Sequence, residues 1–472
     1  MNRLSSLFYL IIIALSSCSA GSNRVMVYPA PDNEPLNEQY HVSADGVDVP
    51  VYNAKIGNAD KKLRETAMDN HANSHLYYDV AGFASFDLLN SPVEVSVTVA
   101  QDVKQAKILP ASAGITPVVE GKKVSFKVEK PCNLTVEING EHVKSLHLFV
   151  NPEETDKPSP DAPGVVYFGP GVHELTETIE LKDNQTLYIA GGALIRCAND
   201  TVTGSRTPSF VVSGSNVKVL GRGIIDQENV HRLQPRNMMV VNGDKLLMNG
   251  VILRNSCVWT LSLRGAQNIT IDNVKIMGHR ANSDGIDVCE SHNVLIENCF
   301  IRTLDDLIVV KTFNGTAGNI TARQCVLWNE VAHALSIGAE LRYDVDGVTF
   351  TDCDIIGDHC REWSLRIFHC DNGVVRNIRF ENIRIDESVK FISLWINSSM
   401  WTKSAERGHI ENVVFKDINL NTPPAQRGIE LLGFDADHAI RDVTFDNVTV
   451  QGKKITDKDI TANDFVYDIK VQ

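Results

Sequence analysis

This sequence of 472 residues lacks an excess of positive charge, since it contains 45 basic and 59 acidic residues. Without a basic surface to hold phosphates, we expect no nucleic-acid partner. Long hydrophobic runs are missing after residue 22, so we expect no transmembrane segment in the remainder of the chain. No stretch has the periodicity of a long helix, and no group of residues has the spacing of a metal site. We therefore expect a β-rich protein without a cofactor or metal.

The first 22 residues have the layout of an export signal. Arg3 is followed by an apolar run from Leu7 to Leu15 and by small residues that end at Cys18. The run is too short to span a bilayer, and the order Leu-Ser-Ser-Cys resembles a bacterial lipobox, which implies a lipid on Cys18. An ordinary signal that is cleaved nearby is the alternative. We expect an exported protein, in the bacterial periplasm or anchored to the outer membrane only through Cys18.

A change in the residue pattern along the chain predicts two domains. Residues 23–150 alternate between polar and apolar positions, as in VEVSVTV from Val93, which predicts a small antiparallel β-sandwich. Residues 151–164, NPEETDKPSPDAPG, are polar and rich in proline, which is typical of a linker. Residues 165–472 then form the second domain, and we expect the protein to be a monomer.

The second domain is built from a repeat of 25 to 35 residues. Segments that share a polar start and alternating aliphatic residues begin at Asn268, Asn293, Asn319, Asp346, Asn377, Asn412 and Asp442. A second series of short strands begins between them at Trp259, Gly285, Asp306, Ala334, Ser364, Ile392 and Gly428. Two short strands per coil without a helix predict a right-handed parallel β-helix. The LxxLxL signature of a leucine-rich horseshoe and the long hairpins of a propeller are missing.

Three of the ten cysteines fall at one position of this repeat. The residues that share this position are Val274, Cys299, Cys325, Cys353, Ile383, Ile418 and Val448. A free cysteine in an aliphatic stack behaves as a small hydrophobic residue. We therefore expect core cysteines rather than disulfides, a metal site or a redox cluster.

Acidic residues recur at the front of the second strand series. Asp284, Asp306 and His333 precede or open strands on three consecutive coils, and Asp305 lies directly before Asp306. Coils stack about 4.8 Å apart, so these side chains meet, and the crowding raises at least one carboxyl pKa. One group then acts as an acid and another as a base, as in glycoside hydrolysis. A lone aspartate would instead be expected to cap a turn.

The strings that carry this cluster resemble a known family. They are NSDGID from Asn282, DDLIVVK from Asp305, AHALSIG from Ala332 and LRI from Leu365. In this order and spacing they resemble the glycoside hydrolase family 28 polygalacturonases, over about residues 165–450. The resemblance implies an exported β-helix enzyme that hydrolyses an α-linked polysaccharide such as pectin, with inversion.

Carried over by position, the resemblance assigns a role to each residue. Asp305 would protonate the leaving oxygen, Asp284 and Asp306 would hold and deprotonate the water, and His333 would support their charge state. The substrate-binding residues expected here are Asn282, Lys311, Glu340, Arg366 and Phe368.

Three positions depart from the family pattern. The usual Gly-His-Gly is replaced by Ala332-His333-Ala334, and Glu340 adds a carboxylate. Phe368 stands where the family has a lysine that helps to hold the carboxylate of the substrate. A neutral or modified sugar is therefore an alternative substrate, and the Phe368 ring either stacks on a sugar or belongs to the core.

Several alternatives follow from the same residues. A second resemblance, to the dextranase-like family 49, shares the β-helix, the three aspartates and an N-terminal β-sandwich, and implies a neutral glucan. A polysaccharide lyase or epimerase, or a β-helix that only binds glycans, could use the same scaffold. Carboxylates on stacked coils approach the short separation of retaining enzymes, whereas the family 28 resemblance implies inversion.

Overall fold

The structure is a computed structural model that describes residues 23–199, 206–359 and 361–472. The predicted signal segment with Cys18 lies outside the described residues. No helix in the described ranges is both long enough and apolar enough to cross a membrane.

The N-terminal domain consists of two packed β-sheets. The six strands of sheet A are Val25–Val27, Val51–Gly57, Tyr78–Leu88, Ala106–Leu109, Cys132–Ile138 and Glu141–Pro152. The five strands of sheet B are Tyr40–Ala44, Val47–Val49, Val93–Val99, Val118–Glu120 and Lys123–Val128. Strand Val93–Val99 buries alternate residues, as its sequence pattern requires. These residues share one core with apolar side chains from sheet A.

An α-helix, Lys61–Asp69, lies between the second and third strands of sheet A. Its N-terminus is capped by Asp60, whose carboxylate accepts hydrogen bonds from the backbone nitrogens of Lys62 and Leu63. Short 3-10 turns occur at Ser74–Leu76, Ala111–Ala113 and Asp457–Asp459.

The second domain is a coil of stacked parallel strands. The eleven strands of sheet 1 are Ile179–Leu181, Phe210–Val212, Met239–Val241, Leu261–Arg264, Ile286–Cys289, Ile308–Thr312, Leu335–Leu341, Leu365–His369, Lys390–Ile396, Arg427–Leu432 and Ile460–Ala462. The remaining sides of each coil belong to a sheet of 22 strands, called sheet 2. The predicted right-handed parallel β-helix is confirmed.

The strands of sheet 2 form two rows, in which strands pair with those on neighbouring coils, except that Lys453–Lys454 pairs antiparallel with Thr449–Val450. The first row comprises Val165–Phe168, Thr186–Ile189, Ser215–Gly221, Asp244–Asn249, Gln267–Asp272, His292–Glu297, Ala317–Arg323, Val345–Thr351, Val374–Ile385, His409–Leu420, Ile440–Asp446 and Val466–Val471. The second row comprises Gly171–Leu175, Ala193–Ala198, Ile224–Asn229, Ile252–Arg254, Lys275–Met277, Phe300–Thr303, Val326–Asn329, Asp354–Asp358, Thr449–Val450 and Lys453–Lys454. Strands Val374–Ile385 and His409–Leu420 are long enough to pass through both rows.

The predicted cysteine column is confirmed by the strand register. Lys275 pairs with Phe300, Phe300 with Val326, and Val326 with Asp354, which aligns the residues directly before them. Cys299, Cys325 and Cys353 are fully buried in the core of the β-helix, and all eight cysteines within the described residues are free thiols.

A ladder of polar side chains explains the polar start of each repeat. Asn268, Asn293 and Asn319 have φ values of 57°, 58° and 52°, a left-handed conformation that asparagine tolerates well. The amide of Asn293 donates to Asn268 over 3.0 Å, and that of Asn319 donates to Asn293 over 2.7 Å. The repeat predicted to start at Asp346 is shifted by one residue. Asp346 pairs with Gly318, so it is Gly347, with φ 75°, that stands beside Asn319 at the left-handed position.

Buried polar contacts join the two domains. Arg222 of the β-helix donates to Asp87 of sheet A over 2.7 Å, and Arg302 lies 3.1 Å from the ring of His147. Strand Glu141–Pro152 runs two residues into the predicted linker, since Asn151 is buried and forms a hydrogen bond with Asn273 of the β-helix. The irregular connection therefore begins after Pro152.

Candidate active site

Three strands of sheet 1 carry the predicted acidic cluster at the points where they begin. Ile286 pairs with Ile308, and Ile308 pairs with Leu335, so Asp284, Asp306 and His333 stand in one column. Backbone hydrogen bonds hold this column together. Gly285 donates to the carbonyl of Asp306 over 2.8 Å, and Leu307 donates to that of His333 over 2.9 Å.

The carboxylates of Asp284, Asp305 and Asp306 meet at one place. One oxygen from each lies within 4.8 Å of the others. Their residues are only 2%, 8% and 7% exposed, so the charges face little water. Burial together with mutual repulsion separates the pKa values of such groups, because three ionised carboxylates this close are unfavourable.

Asp306 is the carboxylate that is held ionised. Its Oδ1 lies 2.6 Å from Nδ1 of His333 and accepts a hydrogen bond from the His333 backbone nitrogen over 3.2 Å. Burial raises the pKa of Asp306, but the His333 side chain and the Lys311 ammonium outweigh it, so the pKa lies below its usual value.

Asp305, in contrast to Asp306, is the carboxyl group whose pKa is raised. Its Oδ2 accepts a hydrogen bond from the backbone nitrogen of Asn282 over 3.1 Å, and its Oδ1 accepts one from that of Asp306 over 3.0 Å. Burial and the neighbouring charge of Asp306 nevertheless raise the pKa of Asp305 to about 7, against the attraction of Lys311. Asp305 can therefore carry a proton in mildly acidic solution.

Asp284 belongs to a buried ion pair that the sequence did not reveal in full. Nζ of Lys311 lies 3.2 Å from Asp284 and 2.9 Å from Asp287. Two carboxylates share one cation, and burial with repulsion from Asp305 raises the pKa of Asp284 well above its usual value. The pKa of Lys311 is also raised, since these carboxylates outweigh its burial. Asp287 was missed, although NSDGID places it three residues after Asp284.

Arg366 lies one coil beyond His333, as the sequence predicted. Its Nη1 lies 3.1 Å from Nε2 of His333 and 2.9 Å from Glu362. A guanidinium only donates hydrogen bonds, so Nε2 is the acceptor and the proton on Nδ1 is directed to Asp306. Arg366 thus orients the imidazole, and Glu362, which the sequence analysis missed, anchors Arg366.

The other residues predicted to bind substrate occupy different surroundings. Phe368 packs against the Arg366 guanidinium at 4.1 Å and meets the ring of Trp395 edge-on at 5.0 Å, which supports Arg366. Asn282 accepts a hydrogen bond from Arg232 over 3.2 Å. Glu340 is half-buried, and its charge helps to raise the pKa of Lys311.

A segment of the N-terminal domain also borders this cluster. Ala67, in helix Lys61–Asp69, packs against Leu304, the residue before Asp305. The carbonyl of His71 accepts a hydrogen bond from Arg232 over 2.7 Å. No periodic pattern links residues so far apart in the chain, so the sequence did not predict these contacts.

Two groups within the described residues bring possible metal ligands close together. One is the aspartate cluster, which already faces the Lys311 ammonium, and the other is His142, His359 and Glu387. The second group was missed because its members come from both domains.

The sequence model of glycosyl hydrolases family 28 matches residues 178–464, more than half of the chain and all of the aspartate cluster. The chain belongs to glycosyl hydrolases family 28. Among curated relatives of this family 28 chain, a probable endopolygalacturonase D from Neosartorya fischeri is 26% identical over 237 residues, 48% of this chain and 46% of that protein. The family 28 chain thus spans about half the length of this relative.

Solved structures share the fold of this family 28 chain. Dex49A from Penicillium minioluteum has a TM-score of 0.65 at 14% identity, covering 95% of this chain and 96% of that one. A hyperthermoactive exopolygalacturonase from Thermotoga maritima has a TM-score of 0.53 at 19% identity, covering 65% and 83%. The match with Dex49A includes both domains and shows a shared fold.

Proposed function

We propose that this chain is an exported hydrolase that cleaves an α-linked pectic polysaccharide, such as polygalacturonate, by acid/base catalysis with inversion. The observation that carries the proposal is the cluster of three carboxylates whose oxygens lie within 4.8 Å of one another. In this cluster burial raises the pKa of Asp305, while hydrogen bonds and nearby charge lower that of Asp306. Glycoside hydrolysis requires one protonated and one ionised carboxyl group at the scissile bond. The cluster meets that requirement without a cofactor.

Asp305 acts as the general acid in this proposal. Its pKa of about 7 keeps it protonated in mildly acidic solution. As the bond between the anomeric carbon and the leaving oxygen breaks, the proton of Asp305 passes to that oxygen.

Asp284 and Asp306 hold the water that attacks the anomeric carbon, and Asp306, the carboxylate that is held ionised, takes its proton. Oδ1 of Asp284 is buried and has no hydrogen-bond partner among the described residues, so it is available to a water molecule. A water that forms hydrogen bonds of about 2.8 Å with two oxygens can bridge a gap of up to about 5.6 Å. The aspartate oxygens lie within 4.8 Å of one another, so one water can contact two of them. By the usual distance rule, carboxylates this close favour retention, whereas the family 28 resemblance implies inversion.

A neutral glucan is the second candidate substrate. Phe368 replaces the lysine that the family resemblance assigns to the substrate carboxylate, and its ring packs against Arg366. Arg366 is itself bound to Glu362, and Lys311 is bound to two aspartates. These cations are already neutralised by the protein, which favours a substrate with fewer carboxylates.

A product screen on polygalacturonate, galactan and dextran tests the proposal. We expect new reducing ends from polygalacturonate without the ultraviolet absorbance of an unsaturated uronate, and NMR of the first products should show the inverted anomer. Release from dextran alone would establish the neutral candidate. Unsaturated products would establish a lyase, and binding without any product would establish a glycan-binding protein.

Export rests on the first 22 residues. We propose cleavage before Cys18 and a lipid on its thiol, because a small-residue segment ending in Cys follows a short apolar run. The enzyme would then lie in the periplasm or be anchored to the outer membrane. We also propose that it is a monomer.

A further inference from the structure

Two histidines and a glutamate from different domains meet at the domain interface. His142 lies in strand Glu141–Pro152 of sheet A, whereas His359 and Glu387 follow strands Asp354–Asp358 and Val374–Ile385 of the β-helix. One ligand atom from each of the three side chains lies within 4.8 Å of the other two.

The separations match those of ligands around a tetrahedral metal ion. Oε1 of Glu387 lies 3.2 Å from Nε2 of His142 and 3.1 Å from Nε2 of His359. Ligand atoms bound at about 2.0–2.1 Å in a tetrahedral zinc site lie roughly 3.4 Å apart. A small closure or opening of the side chains therefore suffices for all three atoms to contact one ion.

The imidazole of His142 is oriented as metal-bound imidazoles are. Its Nδ1 is in close contact with the carboxylate of Glu137, which leaves Nε2 directed at Glu387. Its ring stacks on Trp328 at 4.3 Å, which fixes the ring plane. Nε2 is shielded from solvent and faces the Glu387 carboxylate at 3.2 Å without the geometry of a hydrogen bond. A carboxylate behind a histidine ligand is the usual second layer of a zinc site.

We propose that His142, His359 and Glu387 bind a divalent ion of the zinc class, with water in the fourth position, and that this ion fastens the N-terminal domain to the β-helix. Two imidazole nitrogens, which give up any proton when the ion binds, and one carboxylate oxygen are a ligand set that suits zinc, copper or nickel better than calcium or magnesium. The ion would stabilise the folded chain because its ligands come together only when both domains are docked.

The test is a zinc titration of the full chain after treatment with a chelator. We expect one zinc ion per chain by calorimetry, a cobalt complex with the absorbance of a tetrahedral site, and a Tm that rises with zinc. H359Q and E387Q should each abolish these effects while the Tm without metal shows that they remain folded. E137Q should weaken binding by about ten- to a hundredfold, because it removes the support of the ligand and not the ligand itself.

Two control variants distinguish this site from other places in the chain that could bind zinc. H41Q removes a histidine that lies next to Asp48 on the exposed face of sheet B, and zinc binding should be unchanged. D305N alters the aspartate cluster, and zinc binding should again be unchanged. Equal binding by wild type, H359Q and E387Q, or loss of binding only in D305N, would overturn the proposal, as would the absence of any binding by the wild-type chain.

Discussion

Oδ1 of Asp306 lies 2.6 Å from Nδ1 of His333, on the next coil of the β-helix. Nε2 of the same imidazole lies 3.1 Å from Arg366, one coil further. Three coils thus act on one carboxylate, and the result is an ionised Asp306 beside an Asp305 that is able to keep its proton. This difference between adjacent residues leads to the first two predictions.

Asp305→Asn should remove the acid and leave the shape of the site unchanged. We expect kcat to fall by about two to four orders of magnitude, the usual contribution of a general acid, with little change in KM. Release of reducing ends measures the effect. Asp442→Asn is the matched control, since Asp442 is an exposed aspartate at the start of a repeat. Full activity in D305N would remove Asp305 from the mechanism.

The pH profile should have one limb for each of the two groups. Activity requires protonated Asp305, whose pKa is about 7, so kcat/KM should fall as the pH rises above that value. Activity also requires ionised Asp306, whose pKa His333 lowers. In His333→Gln the pKa of Asp306 rises, and the acidic limb should move to higher pH. An unchanged acidic limb in H333Q would contradict the role of this contact.

Lys311→Met should destabilise the fold as well as the site. Lys311 is buried between Asp284 and Asp287, and removal of one partner from a buried ion pair costs about 3–5 kcal/mol. Chemical denaturation at several pH values measures the loss. Lys311 lowers the pKa values of Asp284 and Asp287, which burial raises, so without the ammonium both values rise further in the folded chain. The loss should accordingly increase with pH above the ordinary aspartate range.

A double variant isolates the charge from the packing in this experiment. Lys311→Met with Asp287→Asn removes one buried negative charge along with the cation, so part of the lost stability should return. If K311M unfolds as readily alone as with D287N, the loss is due to packing and not to charge.

Phe368→Lys should change the preferred substrate. A lysine at this position restores the group that the family resemblance assigns to the substrate carboxylate. A hydrogen bond to a charged group contributes about 1.5–3 kcal/mol, so the ratio of kcat/KM for polygalacturonate over dextran should rise about tenfold to a hundredfold. Phe368→Leu is the control, because it removes the ring against Arg366 without adding charge. An equal rise in F368L would attribute the change to the lost ring.

Cys18→Ala should prevent lipidation. Cells that express the wild-type chain should incorporate labelled palmitate into it, and the variant should carry no label and should leave the membrane fraction. Labelling of both proteins would exclude Cys18 as the modified residue, whereas labelling of neither would favour an ordinary cleaved signal.

The sequence predicted the β-helix and the aspartate column because both depend on a repeat. Each coil contributes residues at a fixed offset, so the alignment of Cys299, Cys325 and Cys353 and the approach of Asp284 to Asp306 follow from counting. The register error at Asp346 arose where Gly347 replaces asparagine in the left-handed turn, which removes the polar marker.

Contacts between distant parts of the chain could not be predicted in the same way. Asp287 shares Lys311 with Asp284 because the Lys311 side chain reaches back along its strand, and no spacing rule encodes that direction. The approach of Ala67 to Leu304 and of His142 to His359 depends on how the two domains dock. Docking follows from surface shape and buried polar contacts, which leave no periodic trace in the sequence.

The stacking of coils places the aspartate cluster and the residues predicted to bind substrate on different coils. Asp284, Asp305 and Asp306 lie on two adjacent coils, while Arg366 and Phe368 lie on a strand beyond that of His333. Phe368 contacts Arg366 and Trp395, so a substitution at Phe368 changes the outer strand without removing the backbone hydrogen bonds that align the aspartates. In the proposed hydrolase, substrate preference can therefore change at a single residue of one coil while the aspartates of the other coils are retained.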